Sequence, residues 1–65
     1  MYSKEETNGY LLALEQQARS LYDQVLKLDA SGTYNDQAYK LIKKAELDLI
    51  KVYRQLSDAR DYNRT

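Results

Sequence analysis

Apolar residues recur along this chain in two stretches separated by a short polar break. In the first stretch Thr7, Leu11, Leu14, Ala18, Leu21, Val25 and Leu28 follow one another at alternating steps of four and three. Ala38, Ile42, Ala45, Leu49, Val52, Leu56 and Ala59 repeat the same rhythm in the second. Steps of four and three keep side chains on one side of an α-helix and define the a and d columns of a heptad. The pattern predicts two long helices, one over about residues 4–29 and one over about 34–61, joined by a turn at 30–33 and ending in a short tail at 62–65.

The break has its own chemistry. Asp29-Ala30-Ser31-Gly32-Thr33 places a glycine where a left-handed residue ends a helix, and Thr33 followed by Asp36 resembles a capping box, with Asn35 as a competing cap. Ser3 followed by Glu6 is the same device at the start of the chain, while Gly9 weakens the first turns and Tyr62 opens the tail. If the helices fold back antiparallel, residue numbers facing one another total a constant. Leu28 with Ala38, Val25 with Ile42, Leu21 with Ala45, Ala18 with Leu49, Leu14 with Val52, Leu11 with Leu56 and Thr7 with Ala59 all total 66 or 67. Large residues oppose small ones in several of these layers, as an interdigitated core requires. The fold expected is all-α, a coiled-coil-like antiparallel two-helix hairpin forming a single domain.

Other apolar residues fall outside the a and d columns. Leu12, Tyr22 and Leu26 of the first helix and Tyr39, Ile50 and Tyr53 of the second occupy b and e positions, with Leu47 near their edge. The two e edges of an antiparallel pair lie on one side, so these seven residues are expected to form one exposed Tyr/Leu/Ile face. The g and c side is mostly Glu, Gln, Lys and Asp, with Tyr10 and Leu41 as exceptions. An apolar face of that breadth marks an interface, and tyrosine is enriched at interface hot spots.

Size sharpens this expectation. Sixty-five residues bury too little apolar surface for comfortable stability, and the chain has no cysteine or histidine, hence neither a disulfide nor a Cys/His metal site to compensate. The remaining remedy is association, either with a second copy, giving a four-helix bundle, or with a larger protein. Seven tyrosines with no phenylalanine or tryptophan fit surfaces that are half wet.

Charge narrows the partners. Ten basic and ten acidic residues give a net charge of zero, which argues against a protein that coats nucleic acid or an acidic membrane. The second half, residues 34–65, carries seven positive against five negative charges, and Lys40, Lys44, Lys51 and Arg54 form a weak candidate nucleic-acid patch. Acidic residues interrupt it, and pairs such as Asp36 with Lys40 and Lys44 with Asp48 are usual on a solvated helix. No run is long and apolar enough for a membrane span, and the polar, acidic start does not resemble a secretory signal, so a cytoplasmic protein is expected. No phosphate loop, nucleophile set or metal-ligand spacing is present, so neither catalysis nor a small-molecule substrate nor a cofactor is expected.

The length, the antiparallel register and the Leu28-Asp29-Ala30 bend resemble the plasmid-encoded Rop family of small dimeric hairpins. That resemblance implies a four-helix bundle of two chains and binding of paired RNA loops by the outer surface of the first helix. Here that surface offers only Gln17 and Gln24, and Tyr2, Gly9 and Ala13 depart from the family's pattern. The expectation drawn from the residues is a non-enzymatic protein–protein interaction module, such as a small adaptor, inhibitor, chaperone or assembly subunit. The competing expectations are a Rop-like homodimeric nucleic-acid-binding regulator and a structural subunit of a larger particle.

Overall fold

A computed structural model describes residues 1–64 and contains two helices, α1 (Lys4–Ser31) and α2 (Asp36–Arg64), folded against each other as a hairpin. Cα extents of 46 × 18 × 14 Å make it a slender rod. The all-α hairpin expected from the two heptad stretches is what forms.

Each helix starts where a side chain satisfies its first free amide groups. Ser3 is extended and its hydroxyl accepts a hydrogen bond from the Glu6 amide at 3.1 Å, while Thr7 Oγ1 donates to the Ser3 carbonyl at 2.9 Å. Asn35, rather than Thr33, caps α2: its Oδ1 accepts from the Ala38 amide at 2.9 Å. Helix α1 runs two residues beyond the expected end and stops at Gly32, whose amide donates to the Leu28 carbonyl at 2.7 Å. Gly32 has φ −82° and ψ 158°, so it is extended and not left-handed. What demands glycine here is space, since an added Cβ would lie 2.7 Å from the Leu28 carbonyl oxygen. The expected tail is also corrected, because α2 continues through Tyr62 to Arg64; Thr65 lies outside the described residues.

The seam between the helices differs from the expected a and d columns. Leu11, Ala18 and Val25 of α1, and Ile42, Leu49 and Leu56 of α2, do turn inward. The d leucines do not: Leu14, Leu21 and Leu28 are 48, 49 and 54% exposed, and Val52 is 41% exposed. Their places are taken by the e column, with Glu15, Tyr22 and Asp29 on α1 and Glu46, Tyr53 and Arg60 on α2 buried or half-buried. The physical reason lies in the breadth of the apolar arc. Columns a, d, e and b together cover close to half of each helix, and one neighbouring helix covers only part of that arc. The hairpin covers a and e, where Glu15 pairs with Arg60 and Asp29 reaches Lys43 across the seam, and leaves the d leucines open.

Those pairs fasten the rod along its length. Arg60 lies 3.2 Å from the Glu15 carboxylate, Lys43 lies 2.5 Å from Asp29, and Asn63 donates to Asn8 at 2.8 Å. The pairs join residues whose numbers total 71 to 75, above the 66 or 67 read from the apolar columns. Helical side chains lean toward their own N-terminus, so in an antiparallel pair each long side chain meets a partner of higher number than the one level with it.

Packing is thin. Ala18 is the only apolar residue that is fully buried among those described, and no large side chain is completely enclosed. The most protected polar groups are Glu15 and Glu46, at 6 and 7% exposure. A carboxylate is a poor core residue unless paired. Three buried polar atoms, Glu15 Oε2, Glu46 Oε1 and Arg60 Nε, make no hydrogen bond, so the Glu15–Arg60 contact is an ion pair without hydrogen-bond geometry.

Candidate interaction surfaces

Placing the seam on columns a and e gives the rod two unlike sides. One carries columns d and g. On α1 it presents the exposed Leu14, Leu21 and Leu28, spaced one heptad apart, with Tyr10 beyond them. On α2 the same side presents Ala38, Ala45, Val52 and Ala59, with Leu41 at its edge. A ridge of leucines therefore stands beside a furrow of small residues. Asp48 is the only Asp, Glu, Lys or Arg in columns d and g of either helix, and depletion of charge marks the centre of protein interfaces.

The other side carries columns b and f and holds the residues singled out from the sequence. Tyr22, Ile50 and Tyr53 are brought together, half-buried in a groove of ≈ 240 Å³ that they line with Arg19 and Arg54. The Arg19 guanidinium sits 5.8 Å over the Tyr53 ring and 3.7 Å from Asp23. Leu12 and Leu26 lie along the same side at 37 and 38% exposure. Leu47, 68% exposed, lies at the edge of this group, in a shallow groove it shares with Ile50 and Arg54, whereas Tyr39 belongs to a cluster at the turn. Of the seven residues expected as one apolar face, Tyr39 is drawn to the turn, and the others share this side with Arg19 and Arg54.

At the turn end a polar cluster locks the two helices. Tyr34 donates its phenol to the Asp29 carbonyl at 2.7 Å and to the Asp29 carboxylate. Lys43 binds the other carboxylate oxygen and lies 5.3 Å from the Tyr39 ring, which stacks on Tyr34 with centroids 6.0 Å apart. Lys43 and then Tyr34 hold the Asp29 carboxyl at about 2, well below its ordinary range. The Asp29 carboxylate pushes its neighbour Glu46 the other way, upward, with burial adding to the effect. Lys43 and Tyr34 are both raised, chiefly by their hydrogen bonds to Asp29. Tyr34, Asp29 and Lys43 are thus engaged in holding the turn. Among the described residues no group of three or more Asp or Glu could hold a metal ion, and no helix is long and apolar enough to cross a membrane.

The basic positions lie along the outer surface of α2. Lys40, Lys44, Lys51 and Arg54 are all exposed, and Lys44 pairs with Asp48 at 3.1 Å. Arg54 lines one groove with Lys51 and also stands at the rim of the tyrosine groove.

The residues missed by the sequence reading are the charged members of the e column, Glu15, Asp29, Glu46 and Arg60. Glu15 and Asp29 on α1 recur at heptad spacing with Tyr22 between them, while Tyr39, Glu46, Tyr53 and Arg60 recur at the same spacing on α2. The signal available was charge complementarity, acids on one helix against Lys43 and Arg60 on the other. Hydrophobic periodicity alone ranked the leucines above it.

Compared with protein-family models, curated proteins and solved structures, the chain matches none.

Proposed function

We propose that this chain is a non-enzymatic protein–protein interaction module that works by docking the d and g side of its hairpin. The observation that carries this reading is the exposed row of Leu14, Leu21 and Leu28, each about half uncovered on a side with a single charged residue. Leucines at heptad spacing cost solvation when left in water, and covering the uncovered half of each contributes about 1 kcal/mol. Because Ala18 is the only fully buried apolar residue described, the molecule depends on that contribution more than a protein with a large core would. The absence of a histidine, and the engagement of the two best-protected carboxylates in ion pairs, Glu15 with Arg60 across the helices and Glu46 with Lys43 within α2, support an assembly role over catalysis.

Thermal unfolding followed by circular dichroism tests the reading. Replacing Leu14 and Leu21 together with Lys should lower the melting temperature sharply, whereas replacing Leu47, 68% exposed on the opposite side, with Lys should change it little. If the d row were plain surface, Leu14→Lys with Leu21→Lys would leave the melting temperature unchanged or raise it, and the reading would be overturned.

A further inference from the structure

We infer that the occupant of the d and g side is a second copy of this chain, set so that α1 of one copy lies on α2 of the other. The inference rests on the reading that this side is a docking surface and adds what covers it.

Area is the first argument. The chain exposes 5282 Å². A folded monomer of its mass, 7.6 kDa, exposes about 4,300 Å². The excess, about 1,000 Å², is close to the ~800 Å² that each partner surrenders in a stable interface of standard size. One further copy is enough to bring the chain to the exposure of an ordinary folded protein.

Shape is the second. A two-fold axis makes an interface self-complementary, each copy offering both what protrudes and what receives. The d and g side carries a protruding row on α1, Leu14, Leu21 and Leu28, and a receding row on α2 built from three alanines and Val52. Stacking two hairpins face to face leaves two choices of axis. An axis perpendicular to the helices sets α1 on α1 and α2 on α2, so leucine meets leucine and alanine meets alanine, crowding one half and leaving voids in the other. An axis parallel to the helices sets α1 on α2 of the partner copy. Each leucine of one copy then meets an alanine or valine of the other, at heptad spacing along the rod, with both halves filled alike.

Charge is the third. Columns d and g hold Asp48 as their only full charge, and their remaining polar members are mostly Gln17, Gln24 and Gln55. Amides donate and accept equally well, so a face rimmed by them meets its own copy without like-charge repulsion. The b and f side, with Arg19, Asp23, Lys40 and Arg54, lacks that neutrality and stays in solvent. In the resulting four-helix bundle, columns a and d point to the common centre, e closes each hairpin and g closes the contact between copies.

The chain contains no cysteine, which makes the test direct. Light scattering over a dilution series of the natural chain should give twice the single-chain mass. Chains carrying Leu21→Cys, mixed with chains carrying Val52→Cys or Ala45→Cys, should oxidise mainly to the mixed cross-linked pair. Leu21→Cys alone should cross-link poorly to itself, because that position then lies opposite α2. Preferential self-linking of Leu21→Cys overturns the parallel axis and leaves the docking reading standing. A single-chain mass at all concentrations overturns the second copy altogether. If that single chain is largely unfolded, the cover comes from a different protein and the docking reading survives. If it is well folded and indifferent to Leu14→Lys with Leu21→Lys, both fall.

Discussion

The Glu15–Arg60 pair allows the energetics of the seam to be tested with one double substitution. The Glu15 side chain is 8% exposed and that of Arg60 is 19% exposed, with nitrogen and oxygen 3.2 Å apart. At an effective dielectric near 20 their attraction is about 5 kcal/mol. Removing the two charges from water costs several kcal/mol for each. Glu15 Oε2 and Arg60 Nε are in addition buried without a hydrogen bond, at about 1–3 kcal/mol apiece. The costs exceed the attraction. Glu15→Leu with Arg60→Met, which keeps side-chain volume and removes both charges, should therefore stabilise the chain by about 2 kcal/mol, within the range found when buried pairs are replaced by apolar residues. For a chain of this length that corresponds to a rise of roughly 10 °C in melting temperature. Glu15→Leu alone should be destabilising by comparison, since it strands the guanidinium, although Arg60 has enough exposure to swing its head into water. Urea unfolding followed by circular dichroism at one fixed protein concentration measures both, a condition that matters for a self-associating chain. A double variant less stable than the natural chain by about 1 kcal/mol or more, on the scale of a net hydrogen-bond contribution, would refute the argument and make the pair a net source of stability.

The two glycines predict opposite outcomes. Gly9 has open space where a Cβ would go and sits inside α1, so Gly9→Ala should stabilise by about 1 kcal/mol in a thermal melt. At Gly32 the added carbon would press on the Leu28 carbonyl at 2.7 Å, and Gly32→Ala should cost about 1–2 kcal/mol in the same measurement. Asn35→Ala removes the cap on the Ala38 amide and should cost about 1 kcal/mol, where Thr33→Ala should cost almost nothing. The turn cluster gives stability an unusual pH dependence. Asp29 has a folded pKa below its unfolded one, so the stability it contributes is present above its ordinary 3.8 and lost as pH falls through about 2. Glu46 has the reverse shift: the stability tied to its proton is present below its ordinary 4.5 and lost as pH rises through its raised folded value. Melting temperature should therefore rise on mild acidification before it falls, and Glu46→Gln should raise it at neutral pH and flatten that rise. A steady fall from neutral pH downward in the natural chain would contradict the assignment.

Much of the fold was legible from local features because each helix announces itself locally. Heptad steps, a serine cap before an acidic first turn and a polar break containing Gly32 are read from neighbours within one turn, and the structure places both helices within a few residues of those signals. Two particulars at the break were misjudged for one reason. Thr33 and Asn35 are both competent caps, and Gly32 is competent both as a left-handed residue and as a tight contact. Only the path of the chain between the two helices chose Asn35 and an extended glycine.

By itself the sequence determined that the apolar arc of each helix is broader than one neighbour covers, that the chain has no disulfide or Cys/His staple, and that its charges balance. What only the tertiary structure decided is which part of the arc the hairpin takes. Leu21 and Tyr22 are adjacent in the chain and both apolar, so periodicity gives either one a claim on the seam. The cross-helix partners of their column decide it: Glu15 with Arg60 and Asp29 with Lys43 pull the e column inward and turn the d leucines out. Helix formation is a property of residues a few positions apart, and it can be read along the chain. The rotation of one helix against another depends on pairs dozens of residues apart, so it is settled only when the two surfaces meet.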